Sequence, residues 1–177
     1  RYRRSKEFNN YGENIYQEVY RYAAKAAEIA SVENFDIVHA HDWMTFPAGL
    51  TIAKASAKPL IVHIHSTEFD RSGEHVNQTI YDIEREGMHK ANKVIAVSNY
   101  TKSIIVSRYG ISPEKVEVVY NAIEPNNHYD FQFGQSLPDK TERVVLFLGR
   151  LTMQKGPEYF LAAAKKVLEK VQNVKFI

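Results

Sequence analysis

The stretch Val144-Val145-Leu146-Phe147-Leu148-Gly149-Arg150-Leu151-Thr152-Met153-Gln154-Lys155-Gly156 joins an apolar run to a loop bracketed by two glycines. Val144 to Leu148 predict a strand buried on both faces. Gly149 ends it. At Gly156 and Pro157 a helical pattern begins, and Pro suits the first helical turn because the N–H it lacks would have had no partner there. The loop carries Arg150 and Lys155. A helix N-terminus favours anions through its free N–H groups and its macrodipole. With one guanidinium and one ammonium beside it, Gly149, Arg150, Lys155 and Gly156 make a candidate cradle for a diphosphate. It is not a P-loop, because Lys155 precedes the second glycine and no Gly-Lys-Ser/Thr is present. Taken alone, the two cations also fit a solvated loop, so the rest of the chain has to decide.

Upstream, strand and helix alternate. Ile15, Val19, Ala23, Ala26, Ala27 and Ala30 recur at helical spacing within 11–30. Ile37 to Ala40 reads as a strand, and 43–57 as a helix that Asp42 or Thr45 caps. Leu60 to His65 is a second strand, 66–73 a polar turn, and 74–90 a helix with Val76, Ile80, Ile83 and Met88 inside. Gly87 weakens that helix by about 1 kcal/mol relative to Ala. Val94 to Val97 is a third strand. Ser98 caps a helix over 99–109, and Gly110 closes it. Val116 to Val119 is a fourth strand ending at Asn121. This rhythm predicts parallel βαβ units with right-handed crossovers: an α/β fold with a doubly wound, Rossmann-like parallel sheet. Ligands bind such sheets beyond the carboxyl ends of the strands. Those ends are polar here: His41 and Asp42, His65, Ser98, Asn121.

From Asn121 to Glu142 the rhythm breaks, with Pro125, Gly134 and Pro138 in one polar stretch. We read 1–120 as one domain, 121–141 as a linker and 142–177 as the start of a second. Phe160, Leu161, Ala164, Val167, Leu168 and Val171 give the helix of that second domain an apolar face.

Composition narrows the class. The 177 residues are 44% hydrophobic and 25% charged, with net charge +2. That balance argues against a nucleic-acid surface. There is no cysteine, which removes disulfides, thiol catalysis and zinc-thiolate sites and fits a reducing, cytoplasmic setting. No apolar run approaches the roughly 20 residues of a membrane span. The basic start, Arg1 to Lys6, has no signal-peptide core after it and reads as a frayed end.

Asp36-Ile-Val-His-Ala-His-Asp-Trp43, His65-Ser-Thr-Glu68, Ala91-Asn-Lys-Val-Ile-Ala-Val-Ser98, Asn121-Ala-Ile123 and Gly149-Arg-Leu-Thr-Met-Gln-Lys-Gly156 occur in this order and spacing. The set resembles the group 1, family 4 retaining glycosyltransferases, whose two Rossmann-like domains face a cleft. The His-Ala-His-Asp-Trp segment is also similar to glycogen and starch synthases. The resemblance implies transfer of a sugar from a nucleotide-diphosphate sugar to a carbohydrate or other small acceptor, a glucan among them. It implies that Arg150 and Lys155 bind the donor diphosphate and stabilise it as it leaves, with no metal and no cofactor. His65 would face the transferred sugar as the catalytic residue, hydrogen-bonding it or holding the acceptor. His41 and Asp42 would line the acceptor side, with Ser98 and Asn121 in the cleft; the domain before the linker would be the acceptor domain and the one after it the donor domain. Family members are longer, open with a Gly-Gly loop and carry a spaced glutamate pair in the second domain. Neither feature is present here, and Ala122 and Glu124 stand where the family has glycine and aspartate. The sequence therefore reads as a fragment, inactive alone, whose exposed sheet edges recruit a second copy.

His39-Ala-His41-Asp42 and His63-Ile-His65 each put two imidazoles on one strand face. That offers an alternative, a metal-dependent hydrolase, against a plainer reading in which His39 and His63 are hydrogen-bonded within the sheet. A non-catalytic interaction module, with its basic start and eleven tyrosines, is a further alternative, although Tyr16, Tyr20 and Tyr159 suit partial core packing. A dinucleotide oxidoreductase lacks its Gly-x-Gly-x-x-Gly. Tyr81, Glu84 and Arg85 read as a solvated helix face with an ion pair.

Overall fold

A computed structural model describes residues 14–124 and 143–177. The basic start and most of the expected linker lie outside the described residues. The chain divides into two compact units at the Asn121–Ala122 junction.

In the first unit, helix α1 (Ile15–Ala30) precedes β1 (Val38–His41), α2 (Phe46–Ser56), β2 (Leu60–Ile64), α3 (Glu68–Ser72), α4 (Gln78–Lys90), β3 (Lys93–Ala96), α5 (Asn99–Tyr109) and β4 (Val116–Val118). The four strands pair in parallel in sequence order, β1-β2-β3-β4. The parallel α/β architecture expected from the sequence is what the structure shows. Parallel strands laid down in one direction by right-handed crossovers carry their connecting helices on one face, and the core reports this. Ala40, Leu60, Val62, Ile64, Val94, Ala96 and Val116 alternate onto one side of the sheet. They join Trp43 and Phe46, Ile80, Ile83 and Met88, and Ile105 and Tyr109 in a single buried cluster. Among the described residues the strand order does not reverse. The opposite face therefore presents His39, His41, His63 and His65, with Ile61 and Ile95 beside them.

Local chemistry explains the ends. Ser98 Oγ accepts the Thr101 N–H at 3.0 Å, and Gly110 closes α5 at φ +67°. Of the two expected caps for α2, Thr45 holds the N-cap position; its hydroxyl donates back to the His41 carbonyl at 2.7 Å rather than accepting a helix N–H. The expected helix over 74–90 begins only at Gln78, capped by Asn77. Instead, the supposed polar turn holds α3, nucleated by a capping box between Thr67 and Asp70. Gly87 faces the Phe46 ring: a Cβ there would lie 2.4 Å from Phe46 Cδ2. That close approach is why the helix tolerates a residue of poor propensity.

The second unit pairs β5 (Arg143–Val145) with β6 (Val174–Phe176) in parallel, linked by α6 (Pro157–Leu168). The Phe147 N–H donates to the Ile177 carbonyl at 2.8 Å, prolonging the ladder. Phe147, Phe160 and Phe176 pack with ring centroids 5.1 and 5.7 Å apart, the first pair tilted and the second edge-to-face. The expectation of a strand buried on both faces fails here: Val144 is 41% exposed and Leu148 91%. On α6 only Ala164 is buried, while Leu161, Val167, Leu168 and the following Val171 are exposed. The two strands and one helix among the described residues of this unit do not enclose an apolar strand. Tyr16 packs on Trp43, 6.1 Å between centroids, but Tyr20 and Tyr159 are exposed, against expectation. No helix among the described residues is long and apolar enough to cross a membrane.

Candidate active site

The tips of β1 and β2 bring His41, Asp42 and His65 together. Opposite His41 in the parallel register is His63, so the odd-numbered residues of both strands share one face. Four imidazoles stack along it, with centroid separations of 4.3 Å for His39–His41, 4.9 Å for His41–His63 and 4.4 Å for His63–His65. His41 Nδ1 lies 2.9 Å from His65 Nε2. Beyond the last rung the chain turns at Asp42, which adopts φ +57°. Aspartate tolerates that conformation better than most residues. Its N–H donates to the His63 carbonyl at 2.9 Å, and its Oδ1 accepts the His65 N–H at 2.8 Å. The carboxylate thus stands in for the carbonyl that another rung would have supplied.

The reading in which His39 and His63 are hydrogen-bonded inside the sheet is not what the structure holds. They lie on the same face as His41 and His65, and neither ring nitrogen of His63 has a partner although both are shielded from water. Burial, with the neighbouring His65, His41 and His39 after it, lowers the His63 pKa to about 4. His39 is lowered too, by burial first and by His41 and His65. One nitrogen from each of His39, His41 and His63 falls within 4.8 Å of the other two. Both rings are therefore held neutral, as hydrogen-bonding or ligating groups.

Ser98 also lies past a strand end, beyond β3, but its hydroxyl is engaged in capping α5 and in a 3.0 Å contact with Thr101 Oγ1. Asn121 follows β4 at the surface.

Behind the tips lies a network that sequence reasoning missed. Glu84 is 1% exposed, not part of a solvated face. Its carboxylate pairs with Arg71, accepts the Tyr109 hydroxyl, and accepts the Glu68 N–H at 3.0 Å. Glu68 in turn holds Arg71 Nε at 3.1 Å and accepts the Asn77 N–H at 3.1 Å. Arg71 Nη1 donates to the Ser66 carbonyl at 2.9 Å. The loop that leaves His65 is therefore tied into α3, α4 and α5. Burial raises the Glu84 pKa to about 7, against the opposing pull of Arg71 and of hydrogen bonds from Tyr109 and Glu68. Burial also raises Tyr109, with Glu84 adding to it.

In the second unit, Gly149, Arg150, Lys155 and Gly156 all belong to the β5–α6 connection. A 3₁₀ turn, Met153–Lys155, leads to Gly156 at φ +61°, and Pro157 starts α6. Lys155 folds back on Gly149: a Cβ at Gly149 would lie 3.6 Å from Lys155 Cγ. The Arg150 carbonyl accepts the Thr152 N–H at 2.9 Å, tightening the loop. Both cations are exposed, next to a helix N-terminus with Glu158 in its first turn.

Residues 1–127 match the family model described as Glycosyltransferase Family 4. An uncharacterized glycosyltransferase of Methanocaldococcus jannaschii is 33% identical over 167 residues, which is 86% of this chain and 42% of that protein. Alpha-maltose-1-phosphate synthase of Mycolicibacterium smegmatis is 30% identical, over 84% of this chain and 43% of its own length. Among solved structures, sucrose-phosphate synthase from Thermosynechococcus elongatus superposes with a TM-score of 0.69 at 16% identity, over 94% of this chain and 51% of that one. The chain thus spans less than half the length of the two relatives.

Proposed function

The chain belongs to glycosyltransferase family 4, and we propose that the protein moves a sugar from a nucleotide-diphosphate sugar to an acceptor, with retention at the anomeric carbon. The observation that carries this reading is the meeting of His41, Asp42 and His65 at the carboxyl ends of parallel strands, where α/β sheets of this kind bind ligands. In this reading 1–120 form the acceptor domain, 121–141 the linker and 142–177 the start of the donor domain.

His65 is the catalytic residue, hydrogen-bonded to the transferred sugar. His41 and Asp42 serve the acceptor side, Asp42 by holding the backbone at His65. Ser98 and Asn121 follow the next two strands of the same sheet. The name of the Mycolicibacterium relative and the His-Ala-His-Asp-Trp segment favour a glucose-based acceptor. Gly149 and Gly156 shape the cradle; Arg150 and Lys155 meet the charge that grows on the departing diphosphate, with no cofactor and no obligatory metal. The relatives named as glycosyltransferases favour this over hydrolysis. The cysteine-free composition suits a reducing cytoplasm, and β1, an edge strand among the described residues, suits pairing with a second copy.

The test is protection. UDP, ADP and GDP are offered singly to the 177-residue chain, and modification of Arg150 and Lys155 is followed by mass spectrometry. One nucleotide is expected to shield both residues. If none shields either, the donor assignment is wrong. Sugar transfer by these 177 residues alone is expected to be absent.

A further inference from the structure

The histidine face of the sheet carries more imidazole than sugar transfer uses. Four of the seven histidines lie at alternate positions along β1 and along β2 and the residue that follows it. His39 and His41 are two residues apart on β1, and His63 is the register partner of His41 on β2. Alternation and pairing therefore place three imidazoles at the corners of a small triangle, with a nitrogen of each within 4.8 Å of the other two. Three histidines with one open position are a donor set for a borderline divalent ion such as Zn²⁺.

We propose that His39, His41 and His63 form a binding site for a divalent transition metal, Zn²⁺ foremost, one rung behind the strand tips. Zn–N bonds of about 2.0–2.1 Å put tetrahedral ligands roughly 3.3 Å apart. Ring rotations that move each nitrogen by about an ångström close the present triangle. Two independent features support it. Both nitrogens of His63 are buried without a hydrogen bond, a state that polar groups in folded proteins rarely keep without a ligand or water to satisfy them. His41 Nδ1 is already engaged with His65 Nε2 at 2.9 Å, which orients the ring and leaves its Nε2 for the ion. That is the outer-shell arrangement common to metal-bound histidines. The exposure of His39 and His41 leaves an entry path and a fourth coordination position open to water. This site does not depend on the glycosyltransferase reading, and it uses His65 as a positioning group only.

The experiment is a Co²⁺ titration of the chelator-stripped 177-residue chain, read by visible absorption, with Zn²⁺ as competitor. One equivalent of Co²⁺ should give the intense d–d bands of a tetrahedral site, and Zn²⁺ should erase them. His39→Gln changes an exposed side chain, so folding is expected to survive; circular dichroism verifies this. His39→Gln and His63→Asn should each abolish the bands. His65→Ala should weaken binding roughly 10–100-fold. His75→Ala and His89→Ala should change nothing. The proposal is overturned if no tetrahedral bands form, or if they persist in folded His39→Gln or move with His75 or His89.

Discussion

The Asp42 carboxylate accepts the backbone N–H of His65 at 2.8 Å, while the Asp42 N–H donates to the His63 carbonyl at 2.9 Å. One residue thus closes the β1–β2 ladder twice, once with its backbone and once with its side chain. The second closure is possible because Asp42 turns through φ +57° at the strand end. Asp42→Ala removes the acceptor and leaves a residue that dislikes this conformation. It is expected to cost about 1–3 kcal/mol and to speed amide exchange at His65 more than at Val62. Asp42→Asn, which keeps an acceptor oxygen and tolerates positive φ, should restore most of the protection. Equal exchange at His65 in wild type and Asp42→Ala would remove Asp42 from its positioning role.

Buried Glu84 makes the stability of the first unit depend on pH. Its pKa is raised to about 7 in the folded chain, so the folded state binds the proton more tightly than the unfolded one. Stability from this group is complete below about 4.5 and is lost as pH rises through about 7, by at most about 3 kcal/mol. His63 acts in the opposite sense. Its pKa is lowered to about 4, so stability is complete above about 6.5 and falls as pH drops toward 4. The two windows overlap and the two contributions nearly offset, so chemical denaturation should show wild-type stability changing little across pH 4–8. Glu84→Gln should leave the His63 contribution alone, with stability rising as pH increases from 4 toward 6.5. A Glu84→Gln profile that still falls between pH 5 and 7 would place the titrating group elsewhere.

Much of the first unit was legible because its signals are local. The runs Leu60–Ile64 and Val94–Ala96, the Ser98 cap and Gly110 each act within a few residues, and strand alternation by itself put His39 with His41 and His63 with His65; that the two pairs share one face needed the β1–β2 register. Other features required contacts remote in sequence. Glu84 reads as an ordinary polar helix residue until Arg71 and Tyr109, 13 and 25 residues away, close over it. The capping box that starts α3 was present as Thr67 and Asp70, but the serine, glycine and arginine around it read as a turn. The apolar run at Val144 showed a strand correctly, yet burial depends on what packs against it, and hydrophobicity alone could not report that β5 has one partner strand among the described residues.

Gly87 offers a direct check on helix packing. Propensity alone says Gly87→Ala should stabilise α4 by about 1 kcal/mol. The Phe46 ring says otherwise: a Cβ would lie 2.4 Å from Cδ2 and 2.9 Å from Cγ, and Phe46 is fully buried. Overpacking of this kind costs about 1–3 kcal/mol, so the sum should be destabilising. Gly87→Ala paired with Phe46→Leu should recover part of the loss in a double-mutant cycle. A more stable Gly87→Ala single variant would show that α2 and α4 move apart freely.

The β5–α6 loop yields the last prediction. Gly156 holds φ +61°, and a Cβ on it would lie 3.0 Å from the Tyr159 ring. Gly156→Ala should therefore disturb the turn that delivers Lys155 to Gly149, at about 1–2 kcal/mol in the second unit. Its effect on nucleoside diphosphate binding should be indirect and insensitive to salt. Arg150→Ala and Lys155→Ala leave the backbone intact and remove one charge each. Each should weaken binding of whichever nucleoside diphosphate shields the loop by about tenfold or more, and the loss should shrink as ionic strength rises, because exposed charges are screened. Calorimetry at two salt concentrations separates the two effects. If the Arg150 and Lys155 variants bind that nucleoside diphosphate as wild type does while Gly156→Ala does not, the loop matters through its shape, and the two cations are solvated surface charges.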